Sequence, residues 1–376
     1  MLDLFETRDK IDEVDNQIIQ LYLKRMKLCE DVVKYKIENN RQIFDKEREN
    51  RKIEKAVSMV DREFDKRAIS EIFEQLMSIS RKMQYRIMSE KMGTAKSSFI
   101  EIDKLNTKDA KVVFQGTEGA YSQIAMHRFF GEDVNSISVA TFREAMETLE
   151  AGFADYAVIP IENSSAGIVN ECYDLLVEFE NFIVGEQIID VEHALLGTED
   201  STIEDINEVY SHPQALMQCE KYLDDHKGWI KYSELNTAIA AKKIKEGNDK
   251  TKAAIASVEA AKLYGLKILD ERINYSSINS TRFVIISSQK VFLKNANTIS
   301  ICFELPHESG SLYHVLSHFI YNNLNMTRIE SRPLKERNWE YRFFIDFEGS
   351  LVDESVKNAI RGLREETKQL RILGNY

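Results

Sequence analysis

The chain has 376 residues, more than a single hydrophobic core usually serves, so two or three domains are expected. Its residues are 43% apolar and 30% charged, as in soluble globular proteins and unlike disordered or membrane proteins. The formal net charge of -12 argues against general nucleic-acid binding, because attraction to phosphates needs an excess of clustered cations.

The N-terminal sequence and the cysteines predict a cytoplasmic protein without a metal centre. The first residues are acidic and lack the basic and apolar regions of a targeting signal. No apolar stretch approaches the roughly 18 residues of a membrane span. Cys29, Cys172, Cys219 and Cys302 are far apart in sequence, which predicts reduced core thiols and no zinc site. We expect no cofactor and no membrane partner.

Residues 1–92 are predicted to form an all-helical domain. No glycine precedes Gly93 and no proline precedes Pro160, so the strongest helix breakers are absent. Apolar residues recur at steps of three and four over residues 11–32, 53–60 and 69–87, which predicts one long helix and two shorter ones. The long helix leaves much of its apolar stripe uncovered, so we expect an intertwined dimer.

The stripe of the long helix also passes through three cations, Arg8, Arg25 and Lys36. In one interpretation their aliphatic stems cover apolar surface while the charged heads reach water. In the other they bind an anionic ligand, because buried charge needs a partner and the facing helix offers few acids. Three cations on one stripe favour the second interpretation.

Polar residues of the other two helices are expected to meet these cations. Asp45, Arg48 and Glu49 lie at the start of the second helix, and Ser80 and Gln84 interrupt the apolar stripe of the third. With this spacing the segment resembles the all-helical chorismate mutases.

The resemblance implies a role for each of these residues. Arg25 and Arg8 of the partner subunit hold two carboxylates, Arg48 and Glu49 face the ring hydroxyl, Lys36 and Gln84 face the ether oxygen, and Asp45 and Ser80 complete the pocket. A pericyclic rearrangement needs no proton transfer, so a rigid cage that stabilises charge on the breaking ether is sufficient.

The composition and the hydrophobic periodicity of the sequence change after the helical segment. Residues 93–109 combine glycine, serines and scattered charge and are predicted to be a linker. From Lys111 short apolar runs alternate with helical patterns, which predicts parallel α/β units in a domain at 110–290. Gly116 and Gly119 precede Ser122 in a strand-to-helix turn that can bind an anion, although such a turn alone is more often a plain connection.

Four further motifs follow in order. They are I-P-I-E-N-S-S-A-G at 159–167, H-A-L-L-G at 193–197, Y-S-H-P-Q-A-L at 210–216 and N-S-T-R-F at 279–283. With them, residues 111–289 strongly resemble prephenate dehydratase. The resemblance implies a two-lobed α/β fold, like that of periplasmic binding proteins, with the active site in the cleft between the lobes.

The same resemblance assigns residues to that cleft. Thr281 assists departure of the ring hydroxyl, and Arg282 pairs with a carboxylate. The remaining predicted substrate contacts are Ser122, Glu162, Asn163, Ser164, Gln214 and Phe283. His193 and His212 are expected to serve loop structure more than acid–base catalysis. Because the chain has Thr117 and Ala120 where relatives differ, no side-chain contact is expected from position 120.

Residues 297–376 read strand, helix, strand, strand, helix, strand, the order of a ferredoxin-like α+β sandwich. Two motifs, at 308–312 and 330–333, resemble the phenylalanine-binding motifs of ACT domains. An ordinary helix cap and strand end are the alternative. The resemblance implies that L-phenylalanine is an effector bound by Gly310, Ser311, Leu312, Glu330, Ser331, Arg332 and Pro333.

The three segments together predict a bifunctional enzyme of phenylalanine biosynthesis. It would convert chorismate to prephenate and prephenate to phenylpyruvate, under feedback by phenylalanine. One alternative is a non-catalytic small-molecule sensor with a two-lobed binding domain and an ACT domain. Another is a chain with one activity, in which the helices serve only for dimerisation.

Overall fold

The computed structural model describes residues 3–92, 98–275, 279–334, 337 and 339–376. The chain forms two compact units, the first made of Met1–Ser98 and Asn297–Ile372 and the second of Phe99–Ala296 and Leu373–Tyr376. The helical segment and the C-terminal segment therefore share one unit, which their separation in sequence did not predict. The boundaries of the three predicted domains stay predictions.

The three predicted helices are confirmed as α1 (Leu4–Glu38), α2 (Lys46–Val57) and α3 (Glu63–Met92). Two of them begin at aspartates that cap free backbone N–H groups: Asp3 accepts from Phe5 N, and Asp45 accepts from Arg48 N. In the described part of the chain, no helix is both long enough and apolar enough to cross a membrane.

The apolar stripe of α1 is left uncovered by the other described residues along most of its length. Ile11, Val14, Ile18 and Leu21 are each more than half exposed. Only near its C-terminal end does α1 bury a residue, Val33, which packs with Ile43 and Tyr85. The prediction that this helix leaves apolar surface uncovered is confirmed, whereas the dimer that would cover it stays a prediction.

The second unit begins with a three-layer lobe. Its elements are β1 (Ile100–Ile102), β2 (Lys111–Gln115), α4 (Tyr121–Phe130), β3 (Asn135–Val139), α5 (Phe142–Glu150), β4 (Tyr156–Asn163), β5 (Gly167–Ile168), α6 (Asn170–Glu178) and β6 (Phe182–Asp190). The strand β1 lies in the segment predicted as a linker, so that segment is not irregular throughout. Residues 93–97 of the predicted linker lie outside the described residues.

A second lobe follows, and the chain then returns to the first. The second lobe contains β7 (Ala194–Gly197), β8 (Glu208–Ser211), α7 (Pro213–Gln218), α8 (Glu220–Asp225), β9 (Ile230–Ser233), α9 (Thr237–Gly247), β10 (Lys252–Ala256), α10 (Val258–Tyr264) and β11 (Lys267–Asp270). The returning strands are β12 (Ser280–Ser287) and β13 (Val291–Leu293). The predicted two-lobed α/β architecture is confirmed.

Each lobe is built on a mixed sheet. The strand order is β6-β12-β4-β2-β3 in the first lobe and β11-β7-β10-β8-β9 in the second. The strand β2 is parallel to β3 and β4, but β12 is antiparallel to β4 and β6. The predicted parallel pairing is present among β2, β3 and β4 and among β8, β9 and β10, whereas β7 and β12 run antiparallel to their neighbours. The chain returns from the second lobe directly into β12, and in the described part of the chain no helix packed on the first sheet connects β6 to β12. Parallel pairing of two strands needs such a crossover, so β12 is antiparallel to β6.

The C-terminal segment has the predicted order of elements. These are β14 (Thr298–Leu305), α11 (Ser311–Tyr321), β15 (Met326–Pro333), β16 (Tyr341–Glu348), α12 (Glu354–Glu366) and β17 (Lys368–Asn375). The strand β14 lies beside β16, and β15 pairs with the other edge of β16 in antiparallel register. The last residues of β17 belong to the second unit.

A buried lysine lies where α3 packs on α11 in the first unit. The Lys82 side chain is 4% exposed, and its Nζ donates to Ser317 Oγ at 2.6 Å. Burial lowers the pKa of Lys82 to about 8, although the charge of Glu366 acts in the opposite direction. The folded protein therefore bears a cost for keeping this group charged near neutral pH.

Lys82→Met should raise the free energy of unfolding at pH 7 by about 1–3 kcal/mol. The unfolded lysine titrates near 10.5, so between pH 8 and 10.5 the unfolded state binds more protons and the stability of the wild type rises with pH. Urea denaturation across this range should show the rise in the wild type and not in the variant. Lys91→Met, at an exposed position of the same helix, is the matched control. Parallel pH profiles for Lys82→Met and the wild type would contradict the prediction.

Candidate functional site

The three helices enclose a cavity of about 290 Å³, here called the helical pocket. Every residue predicted for the chorismate mutase site except Arg8 lines it. The lining residues are Arg25, Leu28, Cys29, Val32, Lys36, Ile43, Asp45, Arg48, Glu49, Lys52, Met77, Ser80, Arg81 and Gln84. Cations from α1 and α2 thus face polar groups from α3 across one cavity.

Arg25 and Lys36 are held by neighbouring groups within the helical pocket. Arg25 Nη1 donates to Leu76 O at 3.0 Å and to Ser80 Oγ, while Lys36 Nζ donates to Ile43 O. Burial lowers the pKa of Lys36, and the charge of Arg48 lowers it further. A bound anion would oppose this shift by favouring the charged ammonium.

Gln84 shows that the helical pocket contains an unused hydrogen-bonding group. The residue is 6% exposed, and in the described part of the chain its Oε1 atom has no hydrogen-bond partner. The two ends of a glutamine amide are assigned from their partners, so this position can present either an acceptor or an N–H donor. Leaving a buried polar group unpaired is costly, which favours a ligand contact here.

Arg8 is the one predicted residue that the structure does not bring to the helical pocket. It is exposed and lies 17 positions before Arg25 on the same helix, so the two Cα atoms are about 25 Å apart. No side chain can cover that distance. An Arg8 contact with a ligand in this pocket must therefore come from a second copy of the chain.

The sequence reasoning missed Arg81, whose guanidinium forms an ion pair with Glu49 through Nη1. Its side chain is 8% exposed and lines the helical pocket between Met77 and Gln84. The signal was available in the sequence, because Arg81 is a cation between Met77 and Gln84 on the stripe of α3 that faces the pocket.

In the second unit, a group of polar side chains surrounds Thr281 at the beginning of β12; we call it the α/β site. Thr281 pairs in register with Asn163 of β4, and Asn163 Nδ2 donates to Thr281 Oγ1 at 2.9 Å and to Asn279 Oδ1 at 3.0 Å. Because the threonine hydroxyl accepts this bond, its own proton can be donated to another group.

The α/β site extends through residues that the sequence did not assign to it. Asn279 Nδ2 donates to Gln218 Oε1 at 3.2 Å, and the same oxygen lies 2.9 Å from His193 Nε2. An amide oxygen only accepts, so His193 carries its proton on Nε2, and burial lowers its pKa. His193 is 2% exposed, and its other ring nitrogen, Nδ1, lies 3.3 Å from Tyr121 Oη, so both nitrogens are engaged by protein groups. This supports the structural interpretation of this residue over acid–base catalysis.

Other predicted residues of the cleft make local contacts. Ser122 Oγ donates to Gln115 O at the start of α4, and Ser164 Oγ accepts from Ser280 N at 2.9 Å. Gln214 is half-buried in the first turn of α7, where its backbone N–H donates to His212 Nδ1. Glu162 of β4 is half-buried. The structure places Ser164 beside the α/β site through its backbone bond to Ser280.

Arg282 and Thr281 point to opposite faces of β12, and the predicted pairing of Arg282 with a substrate carboxylate stays a prediction. Successive side chains on a strand point to opposite faces. Arg282 Nε donates to Glu186 Oε2 at 2.7 Å, and Nη2 donates to Tyr376 Oη at 2.7 Å. Phe283 is 3% exposed within the core of the first lobe, where it packs beside Val158, so it is a packing residue.

The two predicted effector motifs occupy different places in the C-terminal segment. Gly310 precedes α11 with φ of 79°, and Ser311 Oγ donates to Pro306 O at 3.2 Å. Ser311 lines a cavity of about 240 Å³, the C-terminal pocket, together with residues of α2 and α3. Residues 330–333 end β15 and do not contribute to this pocket.

Comparisons with known proteins agree with the two predicted enzyme domains. A family model for chorismate mutase type II matches residues 7–85, and one for prephenate dehydratase matches residues 112–291. A bifunctional chorismate mutase/prephenate dehydratase of Escherichia coli K12 is 31% identical, over 99% of this chain and 96% of its own.

Two solved structures share the fold of part of the chain. A prephenate dehydratase from Arthrobacter aurescens, in complex with L-Phe, is 29% identical with a TM-score of 0.66, over 71% of this chain and 89% of its own. A protein described as a novel type of quorum-quenching acylase is 33% identical with a TM-score of 0.65, over 71% of this chain and 97% of its own. The same fold is therefore found with a different described activity.

Proposed function

Since the chain belongs to the family of bifunctional chorismate mutase/prephenate dehydratases, we propose that the helical pocket rearranges chorismate and the α/β site dehydrates prephenate. The enzyme acts in phenylalanine biosynthesis and carries both activities. The observation that carries the site assignment is the convergence of Arg25, Lys36, Glu49 and Gln84 on one cavity, with a buried amide oxygen left unpaired.

In the helical pocket, Arg25 and Arg8 of the partner subunit hold the two carboxylates of chorismate in the compact conformer. Lys36 and the amide of Gln84 face the ether oxygen, where negative charge develops as the bond breaks. Charge stabilised by groups already in place needs no reorganisation during the reaction. Asp45 caps α2 and thereby places Arg48 and Glu49 at the ring hydroxyl.

In the α/β site, loss of carbon dioxide leaves an electron pair that makes the ring aromatic and expels the ring hydroxyl. Thr281 hydrogen-bonds to this hydroxyl and passes it a proton that solvent replaces, so the group leaves as water. Asn163 orients the threonine hydroxyl for that transfer. Arg282 Nε already pairs with Glu186 at 2.7 Å, so a substrate carboxylate would bind Arg282 beside this partner or in its place.

For the C-terminal segment we propose a ferredoxin-like ACT domain that binds L-phenylalanine. Three observations support this: the order of its elements, its two motifs at 308–312 and 330–333, and the L-Phe complex of the Arthrobacter relative. Control of either reaction requires that phenylalanine bind one state of the enzyme better than another.

Incubations with chorismate and with prephenate separate this function from its alternatives. Purified enzyme is mixed with chorismate, and prephenate and phenylpyruvate are followed over time, with and without phenylalanine. The proposed function predicts both products in sequence and a change in their rates with phenylalanine. If prephenate forms from chorismate but no phenylpyruvate follows, the dehydratase assignment is wrong. If the enzyme consumes added prephenate but not chorismate, the helices serve only for dimerisation. If neither substrate is consumed, the protein is a sensor.

We also propose that two copies of α1 cover each other's apolar stripes. The double substitution Ile11→Asp and Ile18→Asp, at positions that are 53% and 57% exposed in one chain, should convert a dimer to a monomer in sedimentation equilibrium. Because the monomer lacks Arg8 of the partner subunit, mutase kcat/KM of this double variant should be roughly 100-fold lower than that of the wild type. Leu235→Asp, an apolar-to-acid change in the second unit, is the control. A monomeric wild type, or a monomeric variant with full mutase activity, would contradict the proposal.

A further inference from the structure

Arg81 connects the helical pocket to the C-terminal segment through two carboxylates. Its Nη1 pairs with Glu49 of α2, and its Nε donates to Glu366 Oε1 of α12 at 2.9 Å. The side chains of Arg81 and Glu366 are 8% and 7% exposed. A guanidinium with two separate N–H edges can hold two carboxylates in fixed positions, which a lysine ammonium does less well.

Arg81 and Glu366 each contact a further aromatic ring that fixes their positions. The guanidinium of Arg81 stacks on the ring of Phe44, with Cζ 4.8 Å from the ring centroid. His318 Nε2 of α11 lies 3.1 Å from Glu366 Oε1. Gly362 leaves room for that imidazole, because a Cβ at this position would lie 2.3 Å from the His318 ring. Burial would raise the pKa of Glu366, but the neighbouring imidazole of His318 and the charge and hydrogen bond of Arg81 lower it to about 2.

Glu49 and Arg81 also form a wall shared by two cavities. Both residues line the helical pocket, and both line the C-terminal pocket, which Ser311 and Glu366 also line. The Glu49 carboxylate therefore meets the substrate cavity on one side and a group anchored in the C-terminal segment on the other.

A purely structural ion pair is the competing explanation. Buried ion pairs often contribute little net stability, because desolvation of the charges offsets their attraction. A pair that only joined α3 to α12 would need Arg81 and Glu366, which already meet at 2.9 Å. The additional contact of Arg81 with Glu49, whose carboxylate faces the substrate cavity, is what a structural role leaves unexplained.

We propose that Arg81 is a positioning residue of the mutase reaction, which holds the Glu49 carboxylate toward substrate and is itself held by Glu366 of α12. This inference rests on the proposed role of Glu49 in the helical pocket. It makes the mutase site dependent on a residue of the C-terminal segment, although that residue touches no substrate.

The test uses the full chain and measures mutase kcat and KM, with dehydratase activity as the measure of folded enzyme. Arg81→Met should lower mutase kcat by roughly 10- to 100-fold, since misplacing a catalytic group by about 1 Å has effects of this size. Glu366→Gln should also lower mutase kcat, but by a smaller factor. Arg81→Lys should keep part of the mutase activity that Arg81→Met loses. Arg86→Met, an exposed arginine of the same helix paired with Glu90, should change nothing.

A double-mutant cycle separates positioning from folding. If Arg81 acts through Glu49, Arg81→Met should have little further effect on kcat in a Glu49→Gln background. Additive effects of the two substitutions, or an unchanged mutase kcat in Arg81→Met, would overturn the inference. If Glu49→Gln alone leaves the mutase at full activity, the proposed role of Glu49 fails first, and the inference fails with it.

Discussion

Lys36→Ala should lower the rate of chorismate rearrangement by about 10²- to 10³-fold, the usual effect of removing one group that stabilises transition-state charge. Prephenate dehydration should stay within about twofold of the wild type, because Thr281 and its partners lie in the other unit. Lys36 is a half-buried cation of the helical pocket, and its Nζ donates to Ile43 O. Steady-state rates with chorismate and with prephenate measure the two effects separately.

Lys34→Ala provides the matched control on the same helix. Its ammonium pairs with Asp31 at 2.9 Å on the surface, with the side chain 52% exposed. Surface pairs of this kind contribute little, so both activities should be retained. Equal losses in Lys34→Ala and Lys36→Ala would show that the helix, and not the cationic pocket, is being disturbed.

Thr281→Ala should have the converse effect. Dehydration of prephenate should fall by about 10²- to 10⁴-fold, because the hydroxyl that passes a proton to the leaving group is lost. Mutase activity should be unchanged. Single-turnover measurements of phenylpyruvate formation separate this loss from any change in prephenate binding.

Thr281→Ser is the informative companion variant. A serine hydroxyl can accept the same hydrogen bond from Asn163 Nδ2, so most of the dehydratase activity should remain. If Ser and Ala at position 281 were equally impaired, the methyl group and its packing would matter more than the hydroxyl. Full activity in Thr281→Ala would remove the residue from the reaction.

Local patterns in the sequence were sufficient for much of the fold. The absence of glycine before Gly93 and proline before Pro160 predicted three helices, and the alternation of short apolar runs predicted the two-lobed second unit. The order of elements in the C-terminal segment was also read correctly. These features depend on residues within one or two turns of each other, which is the range that periodicity reports.

Contacts between distant segments were not predictable in the same way. Arg81 and Glu366 are 285 positions apart, and neither residue signals the other by its spacing. Asn279 and Gln218 join the α/β site through hydrogen bonds that depend on how two lobes close around one cleft. By contrast, the sequence alone could predict that Thr281 and Arg282 point to opposite faces of the strand, because neighbouring side chains alternate along a strand.

The wall of Glu49 and Arg81 between two pockets has a thermodynamic consequence. An anionic group bound in the C-terminal pocket would attract Arg81 and weaken its ion pair with Glu49. The negative charge of Glu49 would then be less neutralised on the side of the helical pocket. Such coupling is reciprocal: the factor by which one ligand alters the affinity of the second equals the factor by which the second alters that of the first. A ligand of the helical pocket should therefore report, through its own binding constant, whether the C-terminal pocket is occupied.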